Sequence, residues 1–318
     1  MDSRALKGYA LASVAAATYG MNPLFALPLY EAGMTADSVL FFRYLFAIPL
    51  LGGMILARGR SFKVSAGNCL LLVVMGLVVA FSSLGLFLSY NYMDAGIASS
   101  LLFVYPIMVA LIMAGVYRER ISAVTSICIV LALGGIALLY KGSGDATLSV
   151  TGTMLVMGSA LSYAIYIVAV NKTRLREVAT LTVTFYVLMF GLLLFAARLA
   201  MAGEVDVVPA DKWYLWGCVL ALAVFPTAIS FLCTTSAIQY IGSTPTAILG
   251  ALEPVTAVFF GVVVFGEVLT LRDIAGLVMI IVAVSCVVAA PELSSRMTRI
   301  RRLFPRLRMP RRNWMKGK

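Results

Sequence analysis

Apolar runs of about 20 residues, the length a helix needs to cross about 30 Å of hydrocarbon, recur along this chain between short polar breaks. The pattern predicts helices near residues 9–29, 37–57, 68–90, 96–116 and 122–140. After the polar break KGSGDATLS it predicts five more, near 150–170, 180–200, 212–236, 243–265 and 271–290. The expected fold class is an all-α integral membrane protein with ten transmembrane helices in two five-helix halves, residues 1–141 and 142–291, followed by a basic tail at 292–318. The opening stretch MDSRALKGYALASVAAATYG has the basic start and apolar run of a signal peptide. The run continues past Gly20, however, so it reads as a retained first helix. Within it Gly8, Ala12, Ala16 and Gly20 recur at every fourth position, a spacing that lets two membrane helices approach closely.

The two halves repeat each other. Tyr92, Leu101, Pro106 and Glu119 stand 148 positions before Tyr240, Leu249, Pro254 and Glu267, while Gly8 and Tyr19 stand 144 positions before Gly152 and Tyr163. With an odd number of spans per half, the second half enters the membrane from the opposite face, which predicts an inverted-topology repeat. Charge fixes the expected orientation. The N-terminus, the loops after helices 2, 4 and 6, and the tail together hold 20 Lys and Arg residues, whereas the alternate loops hold four: Lys141, Arg198, Lys212 and Arg272. Both termini are therefore expected in the cytoplasm, with the protein in the cytoplasmic membrane.

A mean hydropathy of +0.99 and 62% hydrophobic residues exclude an ordinary soluble globular chain. The net charge of +11 does not point to nucleic acid, because ten of the 25 basic residues lie after Glu292, directly behind an apolar run. That placement is expected to hold a juxtamembrane tail against anionic lipid. The absence of His removes the commonest general base and metal ligand. Cys69, Cys128, Cys218, Cys233 and Cys286 all lie in apolar runs without CxxC spacing and read as small core residues, so neither a metal nor a cofactor is expected. No GxxxxGK[ST] loop is present to supply ATP drive.

On these residues the chain resembles a known family. The duplicated Pro-x(12)-Glu, continued by Arg120-Ile121-Ser122 in one copy and Val268-Leu269-Thr270 in the other, is similar to the paired EamA domains of the drug/metabolite transporter superfamily. The resemblance covers about residues 9–289 and extends to the aromatic amino-acid and drug exporters of that group. It implies ten helices, cytoplasmic termini, export of small metabolites such as amino acids, and a central cavity lined largely by helices 3, 4, 8 and 9. The segments around Pro106 and Pro254 and the helix ends at Glu119 and Glu267 carry over; a substrate does not.

Two ionisable residues fall inside predicted spans. Glu253 lies in mid-span, where an acid costs about 2.5–3.5 kcal/mol on insertion scales, and Pro254 beside it deprives the Gly250 carbonyl of its helical partner. Glu253 is a candidate for proton coupling or for binding a substrate amine; alternatively it is a protonated structural acid bonded to that freed carbonyl. Arg43 lies roughly 9 Å into helix 2 at 1.5 Å per residue. It would meet a substrate carboxylate or Glu253, or snorkel to the outer headgroups. Tyr19, Asn22, Tyr105, Tyr163 and Tyr166, with Thr18 and Ser162, are further candidates for lining an amphipathic cavity, although buried tyrosines also serve simply to bond neighbouring helices. Asn91 and Gln239, a matched pair, are expected at helix ends.

The expected function is secondary transport of a small organic solute by alternating access. A channel-like permease or a flippase for lipid-linked substrates shares the same interior polar residues and stays open as an alternative. An intramembrane enzyme would need paired acids, a nucleophile with a base, or a metal set, and this chain has one mid-span acid and no His. Solute identity and oligomeric state are not legible in the sequence.

Overall fold

A proline removes a donor from the hydrogen-bond ladder of a membrane helix, and in four of the apolar runs the helix breaks or widens next to one. A computed structural model describes residues 3–118, 123–140, 149–241, 246, 249–250, 252–283 and 285–286, and among these every regular element is helical. The first run is split at Met21 into α1 (Ser3–Gly20) and α2 (Asn22–Glu31), with Pro23 in the first turn of α2. Two unbroken helices follow, α3 (Ala36–Ala57) and α4 (Ala66–Ser89). The next run is split at Phe103–Val104 into α5 (Ala95–Leu102) and α6 (Tyr105–Tyr117), with Pro106 opening the second piece. Then come α7 (Ala123–Tyr140), α8 (Val150–Lys172) and α9 (Thr180–Ala202). The run after α9 passes from α10 (Trp216–Ala223) through a π-helical turn at Val224–Ile229, which contains Pro226, into α11 (Ser230–Ile241). The described chain ends with α12 (Leu252–Phe265) and a helix over residues 271–283.

Seven stretches among the described residues are long and apolar enough to cross a membrane, and Ser126–Ile136 and Leu252–Phe265 are shorter apolar helices. The chain is a multi-pass membrane protein. Of the interruptions, the one at Pro254 follows from the sequence pattern; those at Met21, Phe103–Val104 and the π turn are departures from the unbroken helices expected there. The helix end at Glu119, the Arg120-Ile121-Ser122 motif, the break at 141–148, the side chain of Gln239 and the basic tail lie outside the described residues. Asn91 sits in the turn after α4, where its N–H bonds Leu88 O at 3.2 Å.

Four helices begin with a hydroxyl that satisfies an orphan N–H: Thr35 caps α3 through Ser38 N, Ser65 caps α4 through Asn68 N, Ser149 caps α8 through Gly152 N, and Thr270 caps the helix over 271–283 through Asp273 N. Such caps contribute about 1 kcal/mol each. Packing then pairs the two halves of the chain rather than segregating them. α1 lies along α11, α8 along α4, α9 against both α3 and α4, and α5 against α12. At the crossing of α4 and α9 the backbones touch: a Cβ on Gly76 would stand 2.7 Å from Phe190 Cβ and 2.9 Å from Val187 O.

The end of α12 reaches across to the start of α5. Gly266 takes φ +69° and turns the chain so that Glu267 N bonds Gly261 O at 3.0 Å. The Glu267 carboxylate then accepts from Ala95 N at 3.0 Å and from Gly96 N at 3.5 Å, the free donors that open α5. Its second oxygen is buried without a partner among the described residues. Burial first, and then the neighbouring Asp94, push the Glu267 carboxyl up to about 7 against the two favourable N–H contacts.

Two outcomes follow. Gly76→Leu overpacks the α4–α9 crossing and destabilises by about 1–3 kcal/mol, whereas Gly53→Leu points into open space; the unfolding temperature in detergent falls for the first and is nearly unchanged for the second. Because the folded form holds the Glu267 proton more tightly than the unfolded chain, its contribution to stability is full below the ordinary carboxylate range and is lost as pH rises through about 7. Asp94, also raised by burial, acts in the same direction. Thermal stability therefore declines from pH 5 to pH 8, and Glu267→Gln flattens that decline.

Candidate functional site

The interrupted helices meet at a central cavity of about 500 Å³. Tyr19, Gly20 and Asn22 come from the α1–α2 break, Phe103, Tyr105 and Pro106 from the α5–α6 break, Ser230 and Phe231 from the end of the π turn, and Gly250 and Glu253 from the start of α12. α8 contributes Tyr163 and Ile167. Irregular backbone at membrane depth is tolerated where it lines a cavity or is covered by protein, and here it forms the cavity wall.

At Glu253 the backbone satisfies itself. Pro254 offers no donor to Gly250 O, and Glu253 N closes a tighter turn onto that carbonyl at 2.9 Å. The freed carbonyl thus already accepts one bond, from the residue's own amide. The carboxyl lines the cavity and makes no hydrogen bond to the described residues. Gly20 lies against this turn so closely that a Cβ there would overlap Glu253 O.

Three of the aromatic candidates, Tyr105, Tyr163 and Tyr166, form one array. Tyr105 and Tyr163 meet edge to face at 4.8 Å, and Phe103 flanks Tyr105 at 6.2 Å. Tyr166 stacks on Tyr163 at 6.0 Å but lines neither described cavity, packing instead towards Leu72, Met75 and Val187. Asn22 donates to Tyr19 O at 2.8 Å, and its side-chain carbonyl is buried with no partner among the described residues. Thr18 turns away, bonding Val14 O and Ala15 O within its own helix at 2.8 and 3.0 Å.

Arg43 does not snorkel. It is 7% exposed and lines a smaller chamber of about 50 Å³ that shares Tyr19, Leu86, Leu102, Tyr163 and Phe231 with the main cavity. Its Nε donates to Thr227 Oγ1 at 3.2 Å, and its guanidinium carbon lies 5.4 Å from the centroid of the Phe87 ring. The ion pair with Glu253 considered from sequence is not formed; among the described residues the one salt bridge joins Arg198 to Asp37. Sequence reasoning missed the hydroxyls around this chamber, Ser82, Ser83 and Ser159, and those of the main cavity, Ser99, Thr234 and Thr246. A small hydroxyl in an apolar run carries no pattern of its own; only the match of Ser82 with Ser230 at the 148-residue offset could have marked one.

The site therefore combines an aromatic and aliphatic wall with one carboxyl and an adjoining guanidinium. Among the described residues no group of three His, Cys, Asp or Glu side chains is placed to hold a metal ion.

Comparison with known proteins places this architecture. The model of the EamA-like transporter family matches twice, over residues 6–141 and 150–289. An uncharacterized transporter of Archaeoglobus fulgidus is 29% identical over 191 residues, covering 60% of this chain and 66% of that protein. The uncharacterized transporter YxxF of Bacillus subtilis is 23% identical over 255 residues, covering 79% and 80%. A crystal structure of a protein 20% identical in sequence superposes with a TM-score of 0.63, covering 93% of this chain and 99% of the other, and so shares the fold. The Archaeoglobus and Bacillus relatives are transporters by name, which points away from an enzyme. Matched by the family model over both halves, the chain belongs to the EamA-like transporter family.

Proposed function

We propose that this protein is a secondary transporter of small organic solutes, amino acids or related metabolites, working as an exporter by alternating access around the central cavity. The observation that carries the reading is the cavity itself: about 500 Å³ of mostly apolar and aromatic wall, within the size range of small-molecule sites, with a single carboxyl among its lining residues. Export follows the resemblance to amino-acid and drug exporters.

Ten spans in two inverted five-helix repeats, with both termini cytoplasmic, complete the proposal. Reciprocal contacts support it. Ser82 donates to Ser159 O at 2.9 Å, and at the matched positions Ser230 donates to Ala15 O at 3.0 Å. Gly152 abuts Tyr92 and Met93, and its counterpart Gly8 abuts Tyr240 and Ile241. Each half thus places its first helix on the third helix of the other, the exchangeable arrangement that alternating access uses. The expected sidedness is also self-consistent. Asp206 bonds Thr35 and Ser38 between two loops assigned outside, while Lys172 lies 5.0 Å above the Tyr117 ring between two helix ends assigned to the cytoplasm.

The matched frame breaks at one informative place. Tyr105 packs on Tyr163, and the corresponding pair in the other half is Glu253 and Tyr19, so an acid in one half stands where the other has a phenol. With its neighbouring carbonyl already satisfied, the Glu253 carboxyl is available to exchange a proton with the cavity or to meet a solute amine.

Purified protein in proteoliposomes is expected to show saturable solute flux with counterflow across a panel of amino acids; flux that never saturates and shows no counterflow marks a pore, and scrambling of lipid-linked substrates without solute flux marks a flippase. Glu253→Gln is expected to fold, to keep exchange down a gradient, and to lose proton-driven accumulation together with its pH dependence. Uphill transport with an unchanged pH profile removes the coupling role. In a cysteine-free background, Glu31→Cys should label from outside the cell and Arg60→Cys only after permeabilisation; the reverse pattern defeats the orientation.

A further inference from the structure

The chamber around Arg43 is built as a donor surface, and an inventory of its hydrogens shows what it lacks. Ser82 and Ser159 exchange their hydroxyl hydrogens with each other's backbone carbonyls, at 2.9 and 2.6 Å. Thr227 donates to Leu222 O at 3.0 Å and accepts from Arg43 Nε. Tyr44 and Ser83 lie 2.7 Å apart and spend one of their two hydrogens on each other, leaving the other free. The guanidinium carries four further N–H bonds on its terminal nitrogens, and among the described residues none of them is engaged. Among the described residues no carboxylate lines the chamber. A cation 93% removed from solvent, stacked over Phe87 with its fork unpartnered, is a charge whose burial several kcal/mol of desolvation opposes until an anion supplies the missing acceptor.

We infer that the Arg43 chamber is an anion-binding subsite, in which the terminal guanidinium nitrogens and the free hydroxyl hydrogen of the Tyr44–Ser83 pair hold one carboxylate-sized monovalent anion. The chamber's volume of about 50 Å³ suits a carboxylate head or a halide and excludes an aromatic or aliphatic body. The chamber and the main cavity share Tyr19 and Tyr163 as lining, so a carboxylate held in the chamber lies beside the aromatic wall that would take the organic part of a solute. The subsite rests on the transport reading only for the identity of its occupant, a solute carboxylate as against a free inorganic anion.

The test is equilibrium stabilisation of the full-length protein in detergent, in sodium HEPES buffer at constant ionic strength, titrated with sodium acetate or with sodium chloride. A saturable rise in unfolding temperature is expected for the wild type. Arg43→Gln is expected to weaken the acetate midpoint by about tenfold or more, the loss of a charge-assisted paired contact. Ser83→Ala, which removes one hydroxyl of the pair and leaves the Tyr44 O–H as a donor, weakens it less. Stabilisation by acetate but not chloride assigns the site to a carboxylate; equal stabilisation assigns it to inorganic anions. No saturable effect in the wild type, or the same midpoint in Arg43→Gln, overturns the subsite. If Arg43→Gln does not fold, Arg43→Lys, which keeps the charge and loses the paired fork, takes its place, and an unchanged midpoint there overturns the subsite instead. Arg43-dependent acetate binding without counterflow in proteoliposomes leaves the subsite standing and defeats the transport reading, while counterflow with Arg43-independent binding does the opposite.

Discussion

Hydrocarbon offers no hydrogen-bond partners, so each backbone group that a helix fails to satisfy must find one inside the protein. In this chain that constraint and the cavity are one structure. Four runs abandon regular α-helical bonding at Met21, Phe103–Val104, Val224–Ile229 and Gly250–Glu253. Residues flanking these interruptions line much of the main cavity, while the Arg43 chamber is walled chiefly by the continuous helices α3, α4, α8 and α9. Tight turns such as Glu253 N to Gly250 O satisfy part of the broken ladder locally. Irregularity is concentrated where walls from both halves converge, and α3, α4, α8 and α9 around it remain continuous.

Much of this was legible in the sequence, for reasons that differ from residue to residue. The helices follow from run length, because the thickness of a bilayer fixes how many apolar residues a span needs. Glu253 announced itself by its cost in such a run, and Tyr19 and Tyr163 by their match across the halves; all three reach the cavity. The placement of Arg43 was not decided by depth, since a long side chain at one position of a helix points either to lipid or to the interior according to the rotation of that helix in the bundle. Neighbours set that rotation, and Thr227, which fixes Arg43, is 184 residues away. Tyr166 shows the same limit: three residues after Tyr163 it shares roughly the same face, yet it turns into a separate apolar cluster.

The π-helical turn was the least visible feature and carries much of the chemistry. Pro226 could have announced a kink, but a widened turn shifts the register of all that follows, and no pattern of apolar positions records such a shift. Here it places Thr227 towards Arg43 and Ser230 towards Ala15, so one irregular turn supplies both the anchor of the buried guanidinium and a contact between the halves.

The two seams between the halves are alike in position and unequal in strength. At one, Ser82 and Ser159 exchange two hydroxyl bonds; at the other, Ser230 donates once to Ala15, which has a methyl group where its counterpart has a hydroxyl. A net hydrogen bond contributes about 1 kcal/mol, and that difference corresponds to roughly a fivefold ratio of populations. In a carrier whose halves trade places, the doubly clasped seam would be the harder one to open, and the empty protein would rest facing one side of the membrane more often than the other. The side chain at position 159 would then act as a thumb on the scale: a single oxygen atom, its hydrogen already spent on a bond between the halves, biasing which compartment the vacant carrier waits for.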